Sequence, residues 1–168
     1  MRVISMWQPW ATLWASGEKK IETRKWEFPW PLPCVIGIHA AKIWNGRLKA
    51  FADNEFCTDS LSRLGFRIWP KATLAFGAII GLVRVVEHIN TALLHPGPAQ
   101  SPFIKMMTRR EKCFGDFTPG RYAWIADRFY LLTTPVPMDG LRNFWQWVPN
   151  EEAARVEQQW LDELPAVV

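Results

Sequence analysis

The strongest constraint on this chain is a change of hydrophobic period at Gly17. Upstream, Trp7, Trp10 and Trp14 recur at i, i+3 and i+7, one helical face, so the spacing predicts a helix over residues 8–16 with Pro9 in its first turn. Downstream the pattern alternates. An extended 20–26 segment puts Glu22, Arg24 and Trp26 on one face and Ile21 and Thr23 on the other. A glycine at the junction supplies the positive φ that ends a helix. Helix end and strand start therefore meet at Gly17-Glu18-Lys19-Lys20-Ile21-Glu22-Thr23-Arg24. Lys19 reaches from the junction toward Glu22 and Arg24, and Gln8, Thr12 and Ala15 lead toward it along the helix. A polar cleft is one outcome; a solvated turn with a surface ion pair is the plain alternative.

The rest of the chain reads as short elements. Residues 2–5 form a strand, and Phe28-Pro29-Trp30-Pro31-Leu32-Pro33 is a stiff extended connector. Residues 35–41 alternate Ile36 and Ile38 against Gly37 and His39, a half-buried strand with His39 turned from the core. Residues 42–54 and 58–65 are predicted helices, with Thr58 as N-cap of the second. Residues 74–89 make a long strand bent at Gly77 and Gly81. A loop at 95–102, short strands at 121–127 and 129–134, a Pro135/Pro137 edge and a strand at 144–147 follow. An acidic amphipathic helix at 151–164 closes the chain. Such a series predicts an α+β protein on a small closed sheet, a single domain over 1–168 with its core in about 1–149.

Charge is unevenly spread. Residues 1–50 carry eight lysines and arginines against three acids, and residues 151–168 one against five, which favours an anionic partner at the Gly17–Arg24 end. Arg63, Arg67 and Lys71 form a basic strip, and residues 105–112 carry four cations against one acid; either could meet phosphates or simply be solvated. Nucleotide-cofactor loops, metal-ligand spacings and the G-x-S-x-G elbow are missing, so no cofactor and no metal are expected. Cys34, Cys57 and Cys113 are widely spaced and read as reduced thiols. The longest apolar run, 72–83, holds two glycines and ends at Arg84, too short to span a membrane. With no signal-peptide pattern, a cytoplasmic monomer is expected. Of eleven tryptophans, Trp7, Trp10, Trp14 and Trp124 are assigned to the core. Trp26, Trp30, Trp44 and Trp145 are candidates for stacking on a base, Trp26 first.

The Gly17-x-Lys19-x-x-Glu22-x-Arg24 pattern resembles the GxKxxExR signature of ASCH (ASC-1 homology) domains, relatives of PUA RNA-binding domains. Residues 4–11, 38–42 and 115–124 resemble further blocks of that family, in order, of its phage and bacterial type. The resemblance implies a PUA-like small β-barrel with inserted and flanking helices. It also implies a nucleotide or base held in a basic cleft at the motif, with RNA as the favoured partner and single-stranded DNA or a modified nucleoside as alternatives. Gln8, Lys19, Glu22, Arg24, Trp26, His39 and Lys42 are the candidate nucleic-acid-binding residues. Some members look like N4-acetylcytidine amidohydrolases or ribonucleases, so a small metal-independent hydrolase is the alternative function. A protein-interaction role for the acidic helix is a third. Those amidohydrolases carry a threonine nucleophile where Glu22 stands here, and strand phase turns Thr23 to the wrong face to replace it. A hydrolase would then use Glu22 as general base, with Lys19 and Arg24 steadying the developing charge. Lys19→Ala and Arg24→Ala are expected to weaken binding with little loss of stability.

Overall fold

Strands with apolar faces must cover them, and six strands here do so by curling around a shared core. The computed structural model describes residues 1–66, 73–95 and 102–163. The strands are β1 Arg2–Met6, β2 Ile21–Arg24, β3 Cys34–Ala40, β4 Ala78–Asn90, β5 Tyr122–Pro137 and β6 Phe144–Gln146. Their spatial order is β2-β5-β4-β3-β1-β6. β1 and β3 are parallel and the other neighbours antiparallel. Helices α1 Trp10–Ala15, α2 Gly46–Ala52, α3 Glu55–Arg63, α4 Arg109–Phe114 and α5 Glu151–Asp162 flank the sheet, with 3-10 turns at Thr91–Leu94 and Pro102–Met106.

Alternation along the strands sorts two cores. Ile4, Ile36, Ile38, Val83, Val85 and Trp124 point into the curl and meet Trp14 and Ala15 of α1, whereas Val3, Val35, Ile79 and Leu82 point outward. That outer face is covered by Ala153, Val156 and Trp160 of α5, so the acidic helix spends its apolar side on the sheet. The α+β architecture is the expected one, built as a half-barrel whose edges are β2 and β6. Aromatic side chains bridge the opening: Trp124 stacks on Phe144 at 5.6 Å, and the Phe28 ring meets both edge-on at 5.1 and 5.9 Å.

Several local expectations change. Asn54, not Thr58, caps α3, accepting from the Phe56 N–H at 3.0 Å; Thr58 lies inside that helix. The two strands expected over 121–127 and 129–134 are one strand, β5, because bulges absorb the polar interruption at Asp127-Arg128. β2 pairs only with Tyr122–Ile125, which leaves one side of β5 open where Pro135 and Pro137 need no partner. Trp7 falls between β1 and α1 and is exposed. Of the basic strip, Arg63 pairs with Glu18 and Asp59, and Arg67 and Lys71 lie outside the described residues, as do residues 96–101 of the expected loop. Among the described residues no helix is long and apolar enough to cross a membrane.

The register shift expected near Gly81 is present, between Ile79 and Gly81. A Cβ at Gly81 would come 2.2 Å from the Tyr130 carbonyl oxygen and 2.8 Å from Ala15 Cβ, so this glycine lets α1 and β5 approach β4 closely. Gly81→Ala should cost roughly 1–3 kcal/mol in urea unfolding. Gly46→Ala, where a Cβ meets nothing within 4 Å, should unfold at or above the wild-type midpoint.

Candidate functional site

Gly17 ends α1 with φ +79, and the chain turns so that Lys19 N–H donates to the Leu13 carbonyl at 2.9 Å. The Lys19 side chain then runs inward and is fully buried. Its Nζ lies 2.8 Å from Glu22 Oε2 and donates to the Ile21 carbonyl. The other carboxylate oxygen, Oε1, lies 2.8 Å from Arg24 Nε. That Nε makes no aligned hydrogen bond, so the contact is an ion pair. The Arg24 guanidinium spreads over the rings of Trp26 at 5.5 Å and Trp124 at 5.9 Å. The motif is a chain of charges from the interior outward: Lys19 neutralises Glu22, and Glu22 aims Arg24.

Burial alone would raise the Glu22 pKa. The charges of Lys19 and Arg24, the Lys19 hydrogen bond and the Arg121 charge outweigh it and hold the carboxyl below its ordinary range. The depressed value favours the anionic form of Glu22. Glu111, unnoticed in the sequence, is also buried. Its carboxylate accepts from the Lys20 N–H at 3.1 Å and the Ile21 N–H at 2.9 Å, fixing the first residues of β2. Burial raises its pKa, more than the Lys19 charge and these two backbone N–H groups lower it. The signal for it was Thr108-x-x-Glu111, a helix-start pattern, and Thr108 does accept from the Glu111 N–H at 3.1 Å.

A cleft of about 480 Å³ opens over Glu22, Thr23 and Arg24. Asp116 and Arg121, joined by a 3.0 Å ion pair, form one side. Hydrogen bonds from Thr118 first, and the Arg121 charge after them, hold the Asp116 pKa below the ordinary range. Trp7, Trp10 and Phe51 form the aromatic side, with Trp10 stacked on Phe51 at 4.1 Å. Sequence reasoning placed both Trp7 and Trp10 in the core: Trp10 is half-buried against it while also lining the cleft, whereas Trp7 stands exposed, and Arg121 and Asp116 were passed over. Thr23 has the opposite strand phase to Glu22 yet also lines the cleft, and its hydroxyl accepts from the Asp116 N–H at 3.2 Å.

The other candidates separate. Gln8 is buried, accepting from the Thr12 N–H at 3.1 Å and donating to the Ala75 carbonyl at 2.9 Å, and so serves the start of α1. Trp26 is 39% exposed beside Arg24 but does not line the cleft. His39 is buried, its Nε2 donating to the Met138 carbonyl at 3.0 Å, and burial holds its pKa below the ordinary value. Lys42 pairs with Asp139 on the surface. His39 and Lys42 border a neighbouring cavity. Trp30 meets Phe144 and Arg2, Trp44 meets Phe76, and Trp145 donates to Ser5 Oγ; none lines the cleft. Among the described residues no group of three or more His, Cys, Asp or Glu could hold a metal.

Two measurements follow from the buried pair. Lys19→Met leaves a desolvated carboxylate behind and should cost about 3–5 kcal/mol in urea unfolding, in contrast to the small effect that a surface lysine would have. Because the folded Glu22 pKa is depressed, its ion pairs stabilise fully above the ordinary carboxylate range and stop contributing as pH falls through the folded value. Stability measured from pH 7 to pH 3 should fall more steeply for the wild type than for Glu22→Gln.

No family sequence model and no curated protein sequence matches the chain. Among solved structures it is similar to ASCH from Zymomonas mobilis, at 16% identity and a TM-score of 0.51 over 94% of this chain and 93% of that one. A point mutant of that same protein aligns over 94% of this chain and 96% of its own, at 15% identity and a TM-score of 0.46. The chain has the fold of an ASCH domain.

Proposed function

We propose that this ASCH-fold protein binds a nucleotide unit of a single-stranded nucleic acid, RNA foremost, in the cleft above β2. The observation that carries the reading is Arg24, set by the buried Lys19–Glu22 pair at the mouth of a cleft that also holds Arg121, Trp7 and Trp10. A guanidinium offers a planar fork to phosphate oxygens or a base edge. Exposed aromatic faces offer stacking worth about 1–3 kcal/mol per base. At about 480 Å³ the cleft is within the range of small-ligand sites. The excess of Lys and Arg over acids in residues 1–50 gives the surroundings the sign a polyanion needs.

Compared with the sequence-based set, the contacting residues in this reading are Arg24, Arg121, Trp7 and Trp10, while Lys19 and Glu22 position Arg24. A hydrolytic role would need a base and a nucleophile here. Glu22 has both oxygens engaged and a depressed proton affinity, and the Thr23 hydroxyl already accepts a backbone hydrogen bond.

Anisotropy titration of labelled eight-nucleotide RNA and DNA of mixed sequence tests this. Arg24→Ala and Arg121→Ala should each weaken binding by about tenfold, and Trp7→Ala by at least fivefold, with Trp7→Phe close to wild type. The logarithm of affinity should fall with the logarithm of salt at roughly 0.7 per phosphate contacted. Undetectable binding at 50 mM salt, or affinity unchanged in all three alanine variants, overturns the reading.

A further inference from the structure

A second cavity, of about 690 Å³, opens beside the first. Ser5, Trp7 and Arg24 line both, so the two are compartments of one groove with Trp7, 52% exposed, at their shared boundary.

The far wall of this second compartment is the segment between β5 and β6, and it is held at several points. The Met138 carbonyl accepts from His39 Nε2 at 3.0 Å, Lys42 Nζ binds Asp139 Oδ1, and the Leu141 carbonyl accepts from Ser5 Oγ at 2.7 Å. Gly140 lies so close to His39 that a Cβ there would come 2.2 Å from Cε1 and 2.4 Å from Nδ1. Asn143 takes φ 60, a left-handed conformation that asparagine tolerates better than most residues. These contacts reduce the conformational freedom the loop has to lose when a ligand arrives.

What the pinned loop presents is unspent. Arg142 lines the cavity, is exposed, and makes no ion pair among the described residues. Leu141 and Ile43 stand 63% and 50% exposed on the same cavity, large apolar groups left next to Trp7. Arg24, Lys42 and Arg142 face a single acid there, Asp139. Apolar faces interleaved with cations along a groove are what a single strand of nucleic acid requires, with bases on the faces and phosphates on the cations.

We propose, resting on the cleft reading above, that the second compartment takes the adjoining nucleotide of the same strand. The ligand is then a polymer of at least two consecutive nucleotides and not a free nucleoside. Two successive bases flank Trp7, Arg24 sits at the phosphate that links them, and Arg142 meets the terminal phosphate of the second nucleotide.

Calorimetric titration with a 5′-mononucleotide and with a terminally phosphorylated dinucleotide, each as RNA and as DNA, tests this against the cleft reading. Wild-type protein should bind the dinucleotide at least tenfold more tightly than the mononucleotide. Arg142→Ala should remove about tenfold from the dinucleotide affinity and lower its salt slope by roughly 0.7, with the mononucleotide unaffected and the melting temperature unchanged. Gly140→Ala, which pushes the loop off His39, should lose the same dinucleotide advantage. Equal affinities for the two ligands, or an Arg142→Ala variant that binds the dinucleotide as the wild type does, overturns the two-nucleotide groove while leaving the cleft in place. Failure of the wild type to bind either ligand overturns both.

Discussion

An ammonium group with no exposed surface must find its counter-charge within hydrogen-bond reach, and the 2.8 Å contact from Lys19 Nζ to Glu22 Oε2 is where this chain provides it. Much of the site depends on that contact. It joins the end of α1 to β2, orients one carboxylate, and through the other oxygen of that carboxylate sets the direction of Arg24. A buried ion pair contributes little net stability compared with an apolar substitute of the same volume, so its value here lies in placement. The guanidinium is held between one buried charge and two tryptophan rings, and so reaches solvent already oriented.

The backbone of this arrangement was legible in the sequence. The stop at Gly17, the switch to period two and the neighbourhood of Lys19, Glu22 and Arg24 all follow from local spacing. The burial of Lys19 does not, because it is decided by elements far along the chain, Glu111 and α4 among them, that cover the junction. Trp7 illustrates the opposite error. Its spacing to Trp10 and Trp14 fits a helical stripe, but α1 starts only after Pro9, so Trp7 escapes the stripe and stands exposed. The split expected in β5 has a similar origin. Asp127-Arg128 looks like a turn, but Asp127 pairs with the buried Arg84 and Arg128 with Glu163 just beyond α5, so polar residues continue the strand.

The tryptophans divide by role along the same lines. Trp14 and Trp124 are buried in the curl, and Trp124, Phe28 and Phe144 hold together a half-barrel whose edges do not pair. Trp7 and Trp10 belong to the cleft. One residue type thus packs the inside of the curl and also lines the cleft on its outside.

The open half-barrel has a further consequence through Glu111. β2 is an edge strand only four residues long, and an edge strand's outward N–H groups are a template on which another chain can add itself. The Glu111 carboxylate occupies that position, taking the Lys20 and Ile21 N–H groups. At the opposite edge β6 is just three residues long. At one rim of the unclosed sheet a side chain thus takes up backbone donors at the start of the edge strand, and at the other the strand is too short to offer more than a few.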